Sequence, residues 1–195
     1  ENSNYLLETT TSRFILTLYE KRVNPGDLPF YLGLMSHLSR HDFPCPLPVA
    51  DKMGQVIKSL ERRPAAIVTF LDGYDLQSID EGHCSQLGIA MAKMHNAAKD
   101  FPLTRRNDLS LPGWQELKET CKGKLESAFP GLETLIEEEL KDLSPHWPKT
   151  LPQGAIHADL FPDNVFFLDG RFVGVIDFYF ACTDAFAYDL AVTAN

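Results

Sequence analysis

Three side chains in the last quarter of the sequence have the types and spacing to handle phosphate. Asp159, Asn164 and Asp177 sit in apolar surroundings, Ala155-Ile156-His157-Ala158-Asp159-Leu160-Phe161-Pro162-Asp163-Asn164-Val165 and Val175-Ile176-Asp177-Phe178. Polar groups in such a setting are costly to bury unless they pair, hydrogen-bond or hold a cation. Asn164 to Leu168 and Arg171 to Ile176 read as two strands around Asp169-Gly170, a two-residue hairpin signal. The hairpin turns the chain back, so Asn164 and Asp177 converge and Asp159 stands a short distance off. An amide oxygen and a carboxylate at one point suit Mg²⁺, which takes one or two carboxylates plus substrate phosphates. Asp159 is then placed to accept a proton from a substrate hydroxyl, and together these are parts that phosphoryl transfer requires.

The order of these residues matches a kinase catalytic loop with a later metal-binding Asp-Phe. It reads His157-Ala158-Asp159-Leu160, three further residues, Asn164, and then Asp177-Phe178-Tyr179. The competing readings are ordinary loop and turn residues around a hairpin, or a His/Asp metal hydrolase. No second histidine stands near His157 to support the latter. Asp163 reads as a turn residue. His157 reads as a hydrogen-bonding organiser of the loop, because Asp159 already fills the base role.

Elements on both sides must position this loop. Tyr5 to Glu8 and Phe14 to Tyr19 flank a polar turn, Thr9 to Arg13, and predict an antiparallel hairpin. Leu28 to Arg40 has helical apolar spacing at Phe30, Tyr31, Leu34, Met35 and Leu38, with Pro29 suited to the first turn. Pro44, Pro46 and Pro48 force an extended stretch, and Val49-Ala50 and Val56-Ile57 are candidate short strands. Ala65 to Leu71 reads as a buried strand closed by Asp72-Gly73. Cys84, Leu87, Met91, Met94 and Ala98 form one helical stripe, and Leu132, Leu135, Ile136, Leu140 and Leu143 another. Glu137-Glu138-Glu139 lies mainly off the second stripe, as a solvated face, and Trp114 and Trp147 read as packing anchors. A β-rich front, a joint near residues 69–73 and a helical back with one late hairpin make an α+β fold of two lobes. A cleft between lobes is a usual place for a ligand.

Composition excludes other classes. The 195 residues carry 18 basic and 27 acidic side chains, a formal charge of −9. That balance argues against a nucleic-acid surface, which needs clustered Lys and Arg. Hydrophobic residues at 44% supply a core and argue against disorder. No apolar stretch approaches the ~18 residues of a spanning helix, so no membrane partner is expected. The first residues lack the pattern of a signal peptide. Cys45, Cys84, Cys121 and Cys182 form no CxxC pair, and scattered thiols of this kind fit a reducing cytoplasm.

Along its whole length the sequence resembles the aminoglycoside/choline phosphotransferase superfamily, and within it most closely the bacterial homoserine kinases of that fold. The segments that carry this are Glu1 to Leu7, Phe14 to Arg22, Pro44 to Pro48, Pro64 to Leu71, His157 to Phe167, Ile176 to Asp184 and Tyr188 to Ala191. The resemblance implies a two-lobed protein-kinase-like fold, with a nucleotide-binding N-lobe over residues 1–71 and a helical C-lobe over 72–195. Its members are longer at both ends. The chain is therefore expected to be partial and, in isolation, poorly active. The resemblance further implies ATP and Mg²⁺ as cofactors and L-homoserine as the small-molecule acceptor. It makes Asp159 the base, and Asn164 and Asp177 the Mg²⁺ ligands. Asn2, Ser3 and Asn4 would lie in the loop over the ATP phosphates, and Thr69, Phe70 and Leu71 in the hinge strand facing adenine. Asp189 would brace the catalytic loop, although as a helix-start cap it reads equally well.

The sequence also departs from the kinase pattern. The strand lysine of kinases and its helix glutamate fall by register on Thr17 and Gly33. Lys21 or Arg22 could reach the phosphates instead, or be exposed strand-end charges. Ala158 replaces the arginine that usually meets a phosphorylated activation loop, so no such switch is expected. Two alternatives stay open: a kinase for another small alcohol such as choline, ethanolamine, methylthioribose or an aminoglycoside, and an inactive nucleotide-binding pseudokinase.

Overall fold

The computed structural model describes residues 2–20 and 23–195. The expectations for Lys21 and Arg22, and the part of Glu1 in the first segment, lie outside the described residues. Strands β1 (Ser3–Glu8) and β2 (Arg13–Leu18) form the expected antiparallel hairpin, with Ser3 opposite Leu18 and Glu8 opposite Arg13. Thr9 ties the turn, its hydroxyl donating to the Ser12 carbonyl at 2.8 Å and accepting from the Ser12 N–H at 2.9 Å. Helix α1 (Leu28–Arg40) has the bounds that its apolar spacing predicts. It follows a turn capped by Asn24, whose side chain accepts from the Gly26 N–H. Leu28, Tyr31, Leu34, Met35 and Leu38 on this helix are buried, and each apolar side chain so buried stabilises by about 1.5–3 kcal/mol.

Strands β3 (Lys58–Leu60) and β4 (Arg63–Thr69) complete an antiparallel sheet of order β1-β2-β4-β3. The short strands expected at Val49-Ala50 and Val56-Ile57 do not form; the strand that pairs with β4 is β3. Pro44, Pro46 and Pro48 lack N–H groups, so this stretch meets β4 only through isolated bonds. The Val49 N–H donates to the Ile67 carbonyl at 2.8 Å and the Thr69 N–H to the Leu47 carbonyl at 2.9 Å. The Asp51 side chain then closes a turn by accepting from the Met53 and Gln55 N–H groups.

Helix α2 (Glu81–Ala97) starts at a capping box, the Asp80 carboxylate accepting from the His83 N–H at 2.9 Å. Ala90, Met91 and Met94 on it are buried, whereas Cys84 at the start of the predicted stripe is exposed. There Cys84, Leu87 and Met91 line an apolar cavity of ≈ 330 Å³ together with Leu160, Val165 and Phe167.

The chain divides into two compact units: Glu1–Arg105 with Gln153–Asn195, and Arg106–Pro152. The second is helical: α3 (Leu111–Thr120), α4 (Leu125–Ala128) and α5 (Leu132–His146). Trp114 and Trp147 meet edge to face at 5.3 Å, and Lys118 pairs with Glu137 at 2.7 Å. The α5 stripe is only partly covered, and Leu135 is 51% exposed.

The first unit resumes with β5 (Gln153–Ile156), the hairpin β6 (Val165–Leu168) and β7 (Arg171–Val175), β8 (Cys182–Ala185) and α6 (Phe186–Thr193). Strand β5 pairs antiparallel with β8, Gln153 opposite Ala185. On β8 the Thr183 N–H also donates to the Arg105 carbonyl at 2.7 Å. Gly174 in β7 has φ +151°, and a Cβ there would stand 2.7 Å from the Pro44 carbonyl oxygen. Only glycine lets the proline-rich stretch lie so close to the hairpin. One apolar core runs through this unit, from Tyr19, Tyr31 and Val68 to Val165, Val175 and Phe178. Among the described residues no helix is long and apolar enough to cross a membrane.

Candidate active site

The loop after β5 is held from beneath by buried groups. His157 is fully buried, and its Nε2–H donates to the Ile176 carbonyl at 2.9 Å. That bond fixes the tautomer and leaves Nδ1 without a partner among the described residues. Burial pushes the imidazole below its ordinary pKa, keeping it neutral, against the pull of nearby Asp189 and Asp177. Asp189 is also fully buried, in the first turn of α6. Its carboxylate accepts from the Ala158 N–H at 2.8 Å, the His157 N–H at 3.2 Å and the His95 Nε2–H at 2.7 Å. It thus clasps two successive peptides and does not cap its own helix. Between those peptides and Asp159, Ala158 adopts φ +62°, unusual for a residue with a Cβ. The clasp holds this backbone and thereby sets the direction in which Asp159 leaves it.

Asp159, Asn164 and Asp177 come together. Asn164 ends a short 3₁₀ turn, Pro162–Asn164, just before β6 and not within it. Its Nδ2 donates to the Asp159 carbonyl at 2.8 Å and to Asp159 Oδ2 at 2.9 Å. These two bonds assign the amide orientation and turn Oδ1 away from Asp159. The Asn164 carbonyl accepts from the Ile176 N–H at 3.0 Å, which ties the loop to the end of β7 beside Asp177. Asp177 has φ +61° and accepts from the Tyr179 N–H. Partial burial first, and then the Asp177 and Asp163 charges, push the Asp159 carboxyl up to about 6, against the Asn164 hydrogen bond. The protein packed around Asp177 raises its carboxyl as well, although one edge of the residue is open to solvent. Two raised carboxylates beside a free amide oxygen form a donor set that a hard divalent cation fits. Asp163 lies exposed in the 3₁₀ turn.

Asp177 also lines a cavity of ≈ 250 Å³. Ile15, Val68, Thr69, Phe70 and Leu71 form one part of it; Asn4, Thr17, Asp177 and Tyr179 contribute the polar part. Ile15 faces Val68 across the sheet and Thr17 faces Ala66. The two β2 residues share a face about 7 Å apart, and so set the direction from apolar to polar. Thr69 Oγ1 accepts from the Leu47 N–H and the Phe70 N–H donates to the Arg13 carbonyl. Of the residues expected over the phosphates, Asn4 lines the cavity. Asn2 and Ser3 turn instead to Glu20, Asn2 Oδ1 accepting its N–H and Ser3 Oγ donating to its carboxylate. Ser3 and Asn4 are strand residues and not part of a loop.

Gly33 of α1 faces Phe101 and Leu103 and not the cavity. The helix is tied elsewhere. The Arg105 Nε–H donates to Asp27 Oδ2 at 2.9 Å, its NH1 to the Ala181 carbonyl at 3.4 Å, and its guanidinium lies over the Tyr31 ring. The sequence gives no sign of this pairing, or of His95 with Asp189, because the partners lie 78 and 94 residues apart.

The sequence model of the phosphotransferase enzyme family matches residues 1–195. The chain belongs to that family. Curated relatives include the homoserine kinases of Azorhizobium caulinodans, 54% identical, and Rhodospirillum rubrum, 56% identical. Each alignment covers all of this chain and 61% of the relative. The chain thus spans about three-fifths of the length of these phosphotransferases. Among solved structures, amicoumacin kinase hAmiN in complex with AMP-PNP, Ca²⁺ and Ami superposes with a TM-score of 0.79 at 20% identity. That match covers 98% of this chain and 60% of the other. The microcompartment-associated aminopropanol kinase superposes at 0.74 with 20% identity, over 100% and 66% of the two chains. The α+β fold is therefore that of the protein-kinase-like phosphotransferases.

Proposed function

We propose that the protein containing these residues is an ATP-dependent kinase that phosphorylates the hydroxyl of L-homoserine, giving O-phospho-L-homoserine for threonine synthesis. The observation that carries the reaction type is Asp159 hydrogen-bonded to Asn164 and beside Asp177, next to a cavity with an apolar and a polar end. The acceptor is argued from relatives that are 49–56% identical over the whole chain and carry that name.

In this reading residues 1–71 supply the nucleotide side and 72–195 the catalytic loop. The stretch Thr69 to Leu71 faces the adenine through its backbone. Among the described residues the Leu71 N–H and carbonyl have no backbone partner, which leaves them for the base. Asn164 Oδ1 and the Asp177 carboxylate would hold Mg²⁺, which supplies charge compensation for the transferring phosphoryl group when bound. Asp159, held by Asn164 Nδ2 and by the Asp189 clasp behind it, orients the acceptor hydroxyl and takes its proton. The acceptor oxygen bonds to the γ-phosphorus while the β–γ bridge bond breaks and ADP leaves. His157, neutral and buried, fixes the loop without exchanging a proton. The scattered spacing of Cys45, Cys84, Cys121 and Cys182, with no CxxC pair, supports a cytoplasmic location.

The test uses the full-length protein. ADP release is measured with ATP and Mg²⁺ against L-homoserine, choline, ethanolamine, methylthioribose and an aminoglycoside. Selective turnover of homoserine is the expected result. Turnover of another alcohol changes the acceptor. Nucleotide binding without any turnover supports the pseudokinase reading that Thr17 favours. Asp159→Asn is expected to keep nucleotide binding and lose about 10²–10⁴-fold in kcat; unchanged turnover would remove Asp159 from the base role.

A further inference from the structure

The cavity contains a polar chain that stands where kinases carry their strand lysine. Thr17 is 2% exposed, and its Oγ1–H donates to Asn4 Oδ1 at 2.7 Å. The Tyr179 hydroxyl, from the segment just after Asp177, lies 3.3 Å from the hydroxyl of buried Tyr19. The rings of Tyr19 and Tyr31 both meet Tyr179 edge to face, at 5.3 and 5.9 Å.

A threonine hydroxyl has one proton, and Asn4 accepts it, so the donor direction runs from Thr17 to Asn4. With its amide oxygen held, Asn4 presents Nδ2 and its two protons away from Thr17. Among the described residues that group has no protein partner. Asn4, Thr17 and Tyr179 line the same cavity as Asp177.

We infer that this pair of neutral groups replaces the missing lysine: Asn4 Nδ2 donates to the polyphosphate of the bound nucleotide, and buried Thr17 is the positioning residue that aims it. The inference rests on the nucleotide-dependent reading proposed above. The ligand class is a nucleoside di- or triphosphate. A neutral donor oriented in a low-dielectric site bonds an anion without the cost of burying a lysine ammonium. Tyr179, the third residue of the Asp-Phe-Tyr run, lines the same cavity and meets Tyr19 just past the end of β2.

The experiment titrates full-length protein with a fluorescent ADP analogue and measures steady-state kinetics with ATP. Thr17→Val keeps shape and removes the hydroxyl. It is expected to weaken ADP and raise the ATP KM by about 10- to 100-fold, the cost of losing an oriented bond to a charged group, with the acceptor KM and thermal midpoint little changed. Thr17→Ser restores the hydroxyl and is expected to recover wild-type affinity. If wild-type protein binds the analogue and Thr17→Val binds it within twofold as tightly, the inference fails and the kinase reading stands. A Thr17→Ser variant as weak as Thr17→Val also overturns it. Wild-type protein that binds no nucleotide ends both.

Discussion

Asp189→Asn is a near-isosteric change at a fully buried site. The carboxylate is 0% exposed and accepts three bonds, from two main-chain N–H groups and one imidazole. An asparagine has one acceptor oxygen and one NH₂. If the NH₂ replaces Oδ1, it faces the Ala158 N–H. If it replaces Oδ2, it faces the His157 N–H, and His95 can adapt only by changing tautomer. Each orientation leaves a buried main-chain donor against another donor, at about 1–3 kcal/mol. Loss of the negative charge weakens the remaining bonds, by about 1 kcal/mol more. The expected loss of stability is therefore ~2–4 kcal/mol, read from the urea midpoint at constant m-value. The catalytic effect should exceed the stability effect, because Ala158 is held at φ +62° next to Asp159. A fully folded variant, at saturating ATP and acceptor, is expected to lose at least about tenfold in kcat with little change in nucleotide affinity. A destabilisation under 0.5 kcal/mol, the range of ordinary surface changes, or an unchanged kcat, would refute the clasp.

Two more outcomes follow from the same site and its surroundings. Asp159 has its folded-state carboxyl raised to about 6, so its contribution to stability is present below the ordinary carboxylate range and is lost as pH rises through 6. In the absence of divalent cations, Asp159→Asn should match wild type near pH 4 and become the more stable of the two above pH 6, as urea unfolding across that range would show. Among the thiols, burial pushes Cys45 up to about 12 whereas Cys84 is exposed. An alkylating reagent at pH 7.5 should modify Cys84 well before Cys45, a sequence that peptide mass mapping reads directly.

Much of the fold was legible because local chemistry and tertiary demand agree. Helix α1 has an uninterrupted apolar spacing after a turn-forming Asn-Pro-Gly-Asp run, and its bounds follow from it. The Asp169-Gly170 turn marks the β6–β7 hairpin, which, after a one-residue register shift between Phe166 and Phe167, brings Asn164 to Ile176 beside Asp177. The stretch around Val49 and Val56 misled for a physical reason. Its residues have strand propensity, but Pro44, Pro46 and Pro48 deny the run up to Val49 the N–H groups a ladder needs, and the Asp51 turn separates Val56 from it. Cys84 fits a helical stripe by spacing and is nevertheless exposed, since periodicity says which face a residue shares and not whether anything covers that face. His157 and Asp189 could be singled out from the sequence as supports of the loop, but the distant partners that hold the site could not. Arg105 with Asp27, His95 with Asp189 and Tyr19 with Tyr179 are contacts between distant parts of the chain, with no local motif to announce them.

The helical unit 106–152 enters and leaves the chain at neighbouring points. Arg105 bonds Thr183, and Gln153 lies opposite Ala185, two residues further along the same strand. The two junctions are thus separated by about 12 Å, two interstrand spacings across β8 and two residues along it. A gap of that size can be closed by a linker of a few residues. The register of β5 on β8, and with it the strand end from which the catalytic loop starts, therefore does not depend on the length of the insert between Arg105 and Gln153.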